Sequence, residues 1–252
     1  MSSAAQEPPI LEVRNLSKHF GAIRALNDLS MSVHRGEVVA LAGDNGAGKT
    51  TLIKTISGVF RPSSGEILLN GQPVTFTTPQ EARDRGIETI YQDLALADNL
   101  SIGANIFLGR EPMKRLFGFV PMLDRKAMAD AARATMARLD FHVSRLEAPV
   151  SNFSGGQRQA VAIGRAVYWD AQILIMDEPT AALGVPEQRK VIALIHQLKA
   201  EGRGVIFISH NLQDIFAVAD RIIVLRRGVM AGERRISETT HDEVVKLMVG
   251  GR

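Results

Sequence analysis

The sequence contains no cysteine, and aromatic residues make up only 5% of its 252 positions. Without cysteine, the chain can form neither a disulfide framework nor a zinc site with thiolate ligands. Long hydrophobic runs are also missing. The longest cover residues 38–42, 173–176, 205–208 and 222–225, far below the ~18 apolar residues of a membrane-spanning helix. These absences predict a soluble protein, so that any role at a membrane would depend on a partner.

A strong excess of charge of either sign is missing as well. The 30 Lys and Arg residues nearly balance the 27 Asp and Glu residues, which leaves a net charge of +3. Nucleic-acid binding would require a basic patch or a cluster of basic and aromatic residues, so we expect no nucleic-acid partner. Residues 1–9 are polar, contain two prolines and lack the apolar segment of a signal peptide. We expect them to form a flexible arm before a single domain at residues 10–252.

The most informative segment runs from Gly43 to Thr50 and reads Gly-Asp-Asn-Gly-Ala-Gly-Lys-Thr. It fits the phosphate-binding pattern G-x-x-x-x-G-K-[ST], between an apolar strand at 38–42 and the start of a helix at 51–56. Glycines allow backbone N–H groups to point at phosphate oxygens, and a helix N-terminus adds partial positive charge. We expect Lys49 to reach the outer phosphates and the Thr50 hydroxyl to bind magnesium. A glycine-rich turn before a helix would explain the glycines, but not the Lys-Thr pair.

The order of the predicted elements indicates an α/β fold. Strands at 11–13 and 29–33, and a hairpin at 66–76 with Asn-Gly at its turn, suggest an antiparallel side sheet. Strands and helices then alternate, with strands predicted at 87–91, 172–177, 205–209, 222–225 and 229–232. Between residues 93 and 165 the strand pattern vanishes, and residues 124–139 form an alanine-rich helix. We expect a P-loop core with a mainly parallel sheet, an antiparallel β side sheet and a helical subdomain inserted at about 93–165.

Two carboxylates follow one of the buried strands. The apolar run at 173–176 ends in Asp177 and Glu178, and the carboxyl ends of parallel strands are where α/β folds bind ligands. We expect Asp177 to hold magnesium and Glu178 to polarise an attacking water as a general base. Taken alone, the pair could be a solvated strand end before Pro179.

The four residues Ser154-Gly155-Gly156-Gln157 make the pattern specific, because they occur together with a phosphate loop. Ser154 is a natural helix N-cap, and paired glycines allow the backbone to approach an anion closely. Alone, these residues could be an ordinary loop and cap. Together with the phosphate loop they make the chain resemble an ATP-binding cassette ATPase, the nucleotide-binding subunit of a transporter. The resemblance extends from about residue 10 to residue 250.

The resemblance implies ATP and Mg²⁺ as ligands and assigns roles along the chain. Phe20 would stack on adenine, although it could instead be a core residue of the side sheet. Gln92 would sense magnesium and the membrane partner, and His210 would lie near the γ-phosphate. The catalytic set would be Lys49, Gln92, Glu178 and His210, and the magnesium ligands would be Thr50, Gln92 and Asp177. The nucleotide contacts would be Phe20, Gly43, Asp44, Asn45, Gly46, Ala47, Gly48, Lys49, Thr50, Thr51, Ser154, Gly155, Gly156 and Gln157.

The resemblance also implies partners. Two copies would form a head-to-tail dimer, with each ATP between the phosphate loop of one subunit and residues 154–157 of the other. The dimer would lie at the cytoplasmic face of the inner or plasma membrane, attached to permease subunits and served indirectly by an external sugar-binding protein. Apolar residues after Gln92 either line the groove for the permease or form the subdomain core; they are Leu94, Leu96, Leu100, Ile102, Ile106 and Phe107.

Segments 86–92, 105–112, 181–183 and 247–251 resemble the ATPases of monosaccharide importers of the ribose, xylose and fructose type. We therefore expect an ATPase that powers sugar import. Another cargo, such as an amino acid, nucleoside or lipid, is the alternative, and a soluble cassette protein is a further one. Phe153 and Gly184 stand where the family usually has Leu and Asp, and Gly184 places communication through its loop in doubt. Residues 113–121 look like a loop of this branch, without a function that the sequence indicates.

Overall fold

The computed structural model describes residues 8–116, 119–141, 145–181 and 183–250. Most of the predicted N-terminal arm, residues 1–7, lies outside the described residues. The strands are β1 (Leu11–Phe20), β2 (Ile23–Val33), β3 (Val38–Ala42), β4 (Ser64–Leu69), β5 (Gln72–Val74), β6 (Ile87–Ile90), β7 (Met113–Leu116), β8 (Val120–Leu123), β9 (Ile173–Asp177), β10 (Gly204–Ile208), β11 (Arg221–Arg226) and β12 (Val229–Arg235). The helices are α1 (Lys49–Ile56), α2 (Pro79–Asp84), α3 (Ile102–Phe107), α4 (Arg125–Arg138), α5 (Gly155–Tyr168), α6 (Val185–Ala200), α7 (Leu212–Val218) and α8 (His241–Val249). Within these ranges no helix combines the length and apolar character that crossing a bilayer requires.

The main sheet has the strand order β12-β11-β3-β10-β9-β6. Its neighbours pair in parallel, except that β12 runs antiparallel to β11. The sheet is buried on both faces, as its near-continuous apolar strands favour: in β3, Val39 and Leu41 belong to one hydrophobic cluster, and Val38 and Ala40 belong to another. Because parallel strands end at the same edge, the residues after β3, β6, β9 and β10 meet there. The predicted α/β core is confirmed.

A four-stranded antiparallel sheet, in the order β2-β1-β4-β5, shares one of these clusters with the main sheet. Asn70 and Gly71 have φ angles of 49° and 76°, as the predicted hairpin turn requires. The first two strands are longer than the sequence predicts, at 10 and 11 residues. Register shifts between Val13 and Leu16 and between Leu16 and Lys18 interrupt the alternation of inward and outward side chains in β1. The sequence after Val13 therefore lacks the period-two pattern that predicts a strand.

A third hydrophobic cluster occupies the segment between β6 and β9. It joins α3, α4 and α5 through residues that include Ile102, Met128, Met136 and Val161. Helix α4 lies where the sequence predicts it, and its N-cap Asp124 accepts a hydrogen bond from the N–H of Ala127 at 3.1 Å. We propose that this cluster is the core of the inserted helical subdomain.

The expectation that strands vanish between residues 93 and 165 is wrong. Strands β7 and β8 form an antiparallel hairpin in which Met113 lies opposite Leu123, and Leu116 lies opposite Val120. Described side chains on both strands are exposed, and Pro121 lies inside β8. A hairpin without a buried face shows no alternation of apolar and polar residues, which is the signal that predicts a strand.

Candidate functional site

The loop between β3 and α1 has backbone geometry that glycine adopts readily. Gly43, Gly46 and Gly48 have φ angles of 144°, 81° and 109°. A Cβ on Gly43 would lie 2.3 Å from the carbonyl oxygen of Leu225, and one on Gly48 would lie 2.9 Å from that of Ala25. Glycine at these positions therefore allows the loop to pass closely against β11 and β2. At Gly46 no atom of the described residues lies within 4 Å of the Cβ position, so among these residues its backbone faces open space.

Helix α1 begins at this loop with no side-chain cap. Its N-cap is Gly48, whereas the N-caps of α2 and α3, Thr78 and Ser101, each accept a backbone hydrogen bond. The first N–H groups of an uncapped helix keep their partial positive charge available for an anion. The loop and helix together form the kind of site in which proteins bind phosphate.

Lys49 stands at the first position of α1. Its ammonium donates hydrogen bonds to the main-chain carbonyl oxygens of Gly43 and Asp44. Burial lowers the pKa of Lys49, while the carboxylates of Glu178 and Asp177 act in the opposite direction. A phosphate beside this ammonium would favour its charged form further.

Glu178 follows β9 in a left-handed backbone conformation, with φ 53°. Its N–H donates to the carbonyl oxygen of Ile208 at 2.9 Å, and its carboxylate oxygen Oε2 lies 2.8 Å from Nδ1 of His210. A non-glycine residue in this conformation costs about 1–3 kcal/mol and persists where the surroundings hold it. The main-chain bond to β10 and the His210 contact thus fix the carboxylate at the edge of the sheet.

Asp177 is the last residue of β9 and carries a perturbed carboxyl group. Burial raises its pKa, and the adjacent Glu178 carboxylate raises it further, against the opposing effect of Lys49 and Lys54. The two carboxylates therefore repel each other in a poorly solvated position. A bound cation would reduce this repulsion, because an opposite charge favours the ionised form.

The predicted residues of the phosphate loop and the strand ends line one cavity of about 1030 Å³. The structure brings together residues 43–51, Gln92, Asp177, Glu178 and His210 in its walls. Two basic residues that the sequence analysis missed, Arg24 of β2 and Arg227 of the β11–β12 turn, also line it. Neither belongs to a motif, and only the folding of both sheets around the loop brings them there.

Another feature that the sequence did not reveal fixes the chain after Glu178. The hydroxyl of Thr180 donates a hydrogen bond to Oδ2 of Asp214 at 2.7 Å, and both residues are buried. Asp214 lies on α7, so the bond joins the loop after β9 to the helix after β10. The partners are 34 positions apart, a separation that no local sequence pattern records.

Phe20 is not among the residues that line this cavity. Its ring packs edge-to-face on Phe60 with centroids 5.1 Å apart, and the Lys18 ammonium lies 5.0 Å from its centroid. It is 41% exposed, so it is not a core residue of the side sheet either. Stacking of Phe20 on adenine stays a prediction. Ile23, which is exposed and lines the cavity, is a second apolar candidate.

Ser154 caps α5 as predicted, but residues 154–157 lie outside the walls of the 1030 Å³ cavity. Gln157 Oε1 accepts from the N–H of Ser154 at 2.9 Å, and Ser154 Oγ accepts from the N–H of Gln157 at 3.4 Å. Gly155 lines a neighbouring cavity of about 350 Å³ together with Gln92 and Glu178. The start of α5 is therefore close to the carboxyl edge of the sheet, without reaching the phosphate loop of its own chain.

The unusual Gly184 is the N-cap of α6, and the side chain of Glu187 occupies the space beside it. A Cβ on Gly184 would lie 2.8 Å from Oε2 of Glu187, and one on Gly156 would lie 2.7 Å from Cγ of the same residue. Glu187 therefore packs between the starts of α5 and α6. The space that a side chain at position 184 would enter is thus occupied by the Glu187 carboxylate from the first turn of α6.

The donors around the cavity fit a nucleoside triphosphate and a magnesium ion. The uncapped helix, the Lys49 ammonium and the open backbone at Gly46 suit phosphate oxygens. The Thr50 hydroxyl, the Gln92 amide and the Asp177 carboxylate offer the hard oxygen ligands that Mg²⁺ prefers. We propose these three residues as the ones that would hold the ion.

The sequence model of the ABC transporter family matches residues 26–181 of the chain. The chain belongs to this family. The match includes the phosphate loop, Gln92, residues 154–157 and both carboxylates of β9, so the family resemblance inferred from these motifs is confirmed.

Similar proteins come from archaea and bacteria. The chain is 48% identical to the xylose/arabinose import ATP-binding protein XylG of Sulfolobus acidocaldarius, over 95% of this chain and 93% of that protein. It is 45% identical to the fructose import ATP-binding protein FrcA of Rhizobium meliloti, over 98% and 96%. It is also 45% identical to the ribose import ATP-binding protein RbsA 1 of Streptomyces coelicolor, over 96% of this chain but 47% of that protein. The cassette thus spans about half of the ribose relative.

Among solved structures, the ADP conformation of MJ1267, an ATP-binding cassette of an ABC transporter, is similar throughout. The TM-score is 0.82 at 26% sequence identity, over 96% of this chain and 99% of that one. The similarity confirms the predicted P-loop fold with its mainly parallel sheet, antiparallel side sheet and helices.

Proposed function

We propose that the chain is the ATP-hydrolysing subunit of an importer for a small sugar. The observation that carries the proposal is the convergence of Lys49, Asp177, Glu178 and His210 on one cavity at the carboxyl edge of the sheet. The sugar class is supported by relatives named for import of xylose and arabinose, ribose and fructose. Another cargo is the alternative, because the cavity suits nucleotide and has no part in selecting cargo.

In the proposed reaction, water attacks the γ-phosphorus of ATP, and the bond to the bridging oxygen of ADP breaks. Glu178 accepts the proton of the attacking water, and His210 holds the Glu178 carboxylate through the 2.8 Å contact. Lys49 and the first N–H groups of α1 stabilise negative charge on the phosphate oxygens. These groups are fixed by backbone and side-chain contacts, so little rearrangement is needed as charge develops.

Mg²⁺ would neutralise charge on the β- and γ-phosphates and orient them. Thr50, Gln92 and Asp177 are the residues proposed to hold it. Gln92 lines both the phosphate-loop cavity and the cavity that contains Gly155. Its amide is therefore in a position to respond to both the nucleotide and the start of α5.

A second copy of the chain would complete the site. Helix α5 begins with two glycines, whose N–H groups and helix dipole suit an anion. Since residues 154–157 do not line the phosphate-loop cavity of their own chain, the γ-phosphate bound to a partner is the anion they would reach in a head-to-tail pair. ATP would then hold the pair together, and its hydrolysis would release it.

Permease subunits would dock in the groove between β6 and the third hydrophobic cluster. The groove has a volume of about 240 Å³, and Arg83, Glu88, Arg110 and Trp169 are among its lining residues. The Arg110 guanidinium lies 4.9 Å from the ring centroid of Trp169, and burial raises the pKa of Glu88. A groove lined by charged, polar and aromatic side chains suits a helix end from a membrane subunit. Docking would place the cassette at the cytoplasmic face of the membrane, opposite an external sugar-binding protein.

Of the six apolar residues named after Gln92, Ile106 lines this groove, but its side chain is almost fully buried. Ile102, Ile106 and Phe107 are buried in the third cluster, which is the alternative that the sequence left open for them. Leu94, Leu96 and Leu100 are partly buried. We therefore assign docking to the polar and aromatic residues of the groove instead.

Replacement of Glu178 by Gln tests the proposed chemistry. The amide has nearly the same shape but cannot accept the proton of water, so we expect ATP hydrolysis to fall by about 10²–10⁴-fold while ATP binding persists. Phosphate release measures the first quantity, and binding of radiolabelled ATP measures the second.

Glu66→Gln is the matched control, because Glu66 is an exposed residue of the side sheet, paired with Arg14. This variant should hydrolyse ATP at the wild-type rate. Turnover by Glu178→Gln that equals the control would show that the general base is elsewhere. Absence of hydrolysis in the wild type and control alike would refute the ATPase proposal.

A further inference from the structure

The β7–β8 hairpin exposes apolar side chains that the nucleotide site does not use. Phe119 is 77% exposed and Met113 is 57% exposed, and Val120, Met122 and Leu123 are also exposed. In the described part of the chain, the two strands form a sheet with each other alone. Exposed apolar groups gathered in this way mark interaction sites.

Basic residues accompany these apolar side chains on both faces of the hairpin. Lys114 lies opposite Met122, and Arg115 lies opposite Pro121, so successive positions place one cation on each face. Two more exposed cations, Arg125 and Lys126, begin the helix that follows.

Two acidic residues at the base of the hairpin, Glu111 and Asp124, have local roles, and Glu147 lines a cavity there together with Leu123 and Arg125. Asp124 caps α4 and lies 3.8 Å from Lys114. Glu111 accepts a hydrogen bond from the N–H of Gly109 at 3.1 Å. The hairpin with its flanks therefore presents a basic and apolar surface.

The hairpin lies next to the groove in which the permease is proposed to dock. Leu108 lines that groove, and it also lines a cavity of about 380 Å³ together with Leu123 of β8 and Met128 of α4. The base of the hairpin thus continues the surface of the groove. If the groove faces a membrane protein, which rests on the proposed function, the hairpin lies beside that protein and therefore close to the surrounding bilayer.

We propose that the β7–β8 hairpin binds the surface of an anionic lipid bilayer. Its apolar residues, with Phe119 foremost, enter the headgroup region, while Lys114, Arg115, Arg125 and Lys126 bind acidic headgroups. Charge complementarity favours lipid over a permease loop. Cytoplasmic loops of membrane proteins carry an excess of Lys and Arg. Strands β7 and β8 contain no acidic residue that could bind such a loop, whereas the groove lining includes Glu88. The cytoplasmic leaflet, in contrast, is negative.

Flotation of the purified chain with lipid vesicles tests the proposal without a permease. The probes are vesicles of phosphatidylglycerol mixed with phosphatidylcholine and vesicles of phosphatidylcholine alone. We expect binding to the anionic vesicles that weakens as salt is added. The double variant Arg115→Gln/Phe119→Ser should bind them at least about tenfold more weakly, since it removes a cation and the most exposed apolar side chain.

The double variant Lys246→Gln/Val249→Ser is the matched control. It removes one exposed cation and one exposed apolar residue from α8, which packs on β11 and β12, away from the β6 edge of the sheet. It should float like the wild type. Equal flotation with neutral and anionic vesicles, no flotation, or equal loss in both variants would each overturn the proposal.

A permease contact is the competing result and has its own measurement. Recovery of the permease in detergent should be unchanged in Arg115→Gln/Phe119→Ser, whereas Arg83→Glu in the groove should reduce it. If the hairpin variant loses the permease and keeps its vesicle binding, the hairpin is a permease contact and the lipid proposal is wrong. Purified Arg115→Gln/Phe119→Ser protein should hydrolyse ATP at the wild-type rate. If the wild type itself does not hydrolyse ATP, the ATPase proposal fails, and this result is independent of vesicle binding.

Discussion

Glu178 is the residue on which the proposed chemistry depends most, and its neighbours set its position. Its N–H bonds to Ile208 of β10, its carbonyl oxygen accepts from the N–H of Ala181 at 3.1 Å, and its carboxylate meets His210. The sequence predicted Glu178 from its place after an apolar strand. It could not predict the left-handed backbone or the Thr180–Asp214 bond, because both depend on residues from other parts of the chain.

At Asp177, proton binding should compete with magnesium at a higher pH than for an ordinary aspartate. Its pKa is raised by burial and by Glu178. As the pH falls through this raised pKa, the carboxylate is protonated and Mg²⁺-dependent ATP binding weakens; as the pH rises, the affinity returns. Calorimetric titration of the wild-type protein with Mg²⁺ and a non-hydrolysable ATP analogue across a pH series measures the effect, because Glu178→Gln would remove one cause of the raised pKa.

Asp177→Asn in the same background separates this effect from protonation of the nucleotide itself. That variant should bind Mg²⁺-ATP more weakly at neutral pH and lose the additional decline in mild acid. The same pH profile for both proteins would contradict the assignment of Asp177 as the magnesium ligand.

Among the elements, the contact between the starts of α5 and α6 is tight enough to exclude a methyl group. A Cβ on Gly156 would lie 2.7 Å from Cγ and 3.0 Å from Cβ of Glu187. Gly156→Ala should therefore lower the free energy of unfolding by about 1–3 kcal/mol, as overpacking does. Urea denaturation measures the change, and Gly156→Ala/Glu187→Ala should recover part of the loss.

Gly164→Ala is the control in the same helix. Its Cβ would meet Thr135, Met136 and Leu139 at 3.4–3.6 Å, which is ordinary contact. The higher helix propensity of alanine should make this variant equal to or up to about 1 kcal/mol more stable than the wild type. Equal destabilisation by both substitutions would show that the Glu187 contact is not the cause.

Elements with a buried face could be predicted from the sequence, whereas β5, which has none, was predicted only from the Asn-Gly turn before it. Strands such as β3 and β9 are continuous apolar runs, and α6 buries a stripe of Val191, Leu194, Ile195 and Leu198. The described side chains of the β7–β8 hairpin form no buried face, so its pattern of apolar residues could not be distinguished from that of a loop. Most of β1 could not be predicted either, because its bulges interrupt the alternation of inward and outward residues.

At the scale of the whole molecule, the two halves of the proposed nucleotide site point to different subunits. Lys49 and the strand-end carboxylates line one cavity, while residues 154–157 begin a helix outside its walls. The sequence motifs predicted both halves. In the folded chain the two halves do not line the same cavity. We therefore propose that a second copy completes the site, and the account of the ATP cycle depends on this pairing.

Cysteine crosslinking between two single variants tests the pairing most directly, because the chain has no cysteine of its own. One variant carries Ser154→Cys and a tag, the other carries Asn45→Cys, and both contain Glu178→Gln. Asn45 is preferred to Gly46, whose φ of 81° disfavours a side chain. We predict a mixed disulfide dimer when oxidant is added with Mg²⁺-ATP, and little without nucleotide. No mixed dimer with ATP, or the same yield without it, would contradict the account.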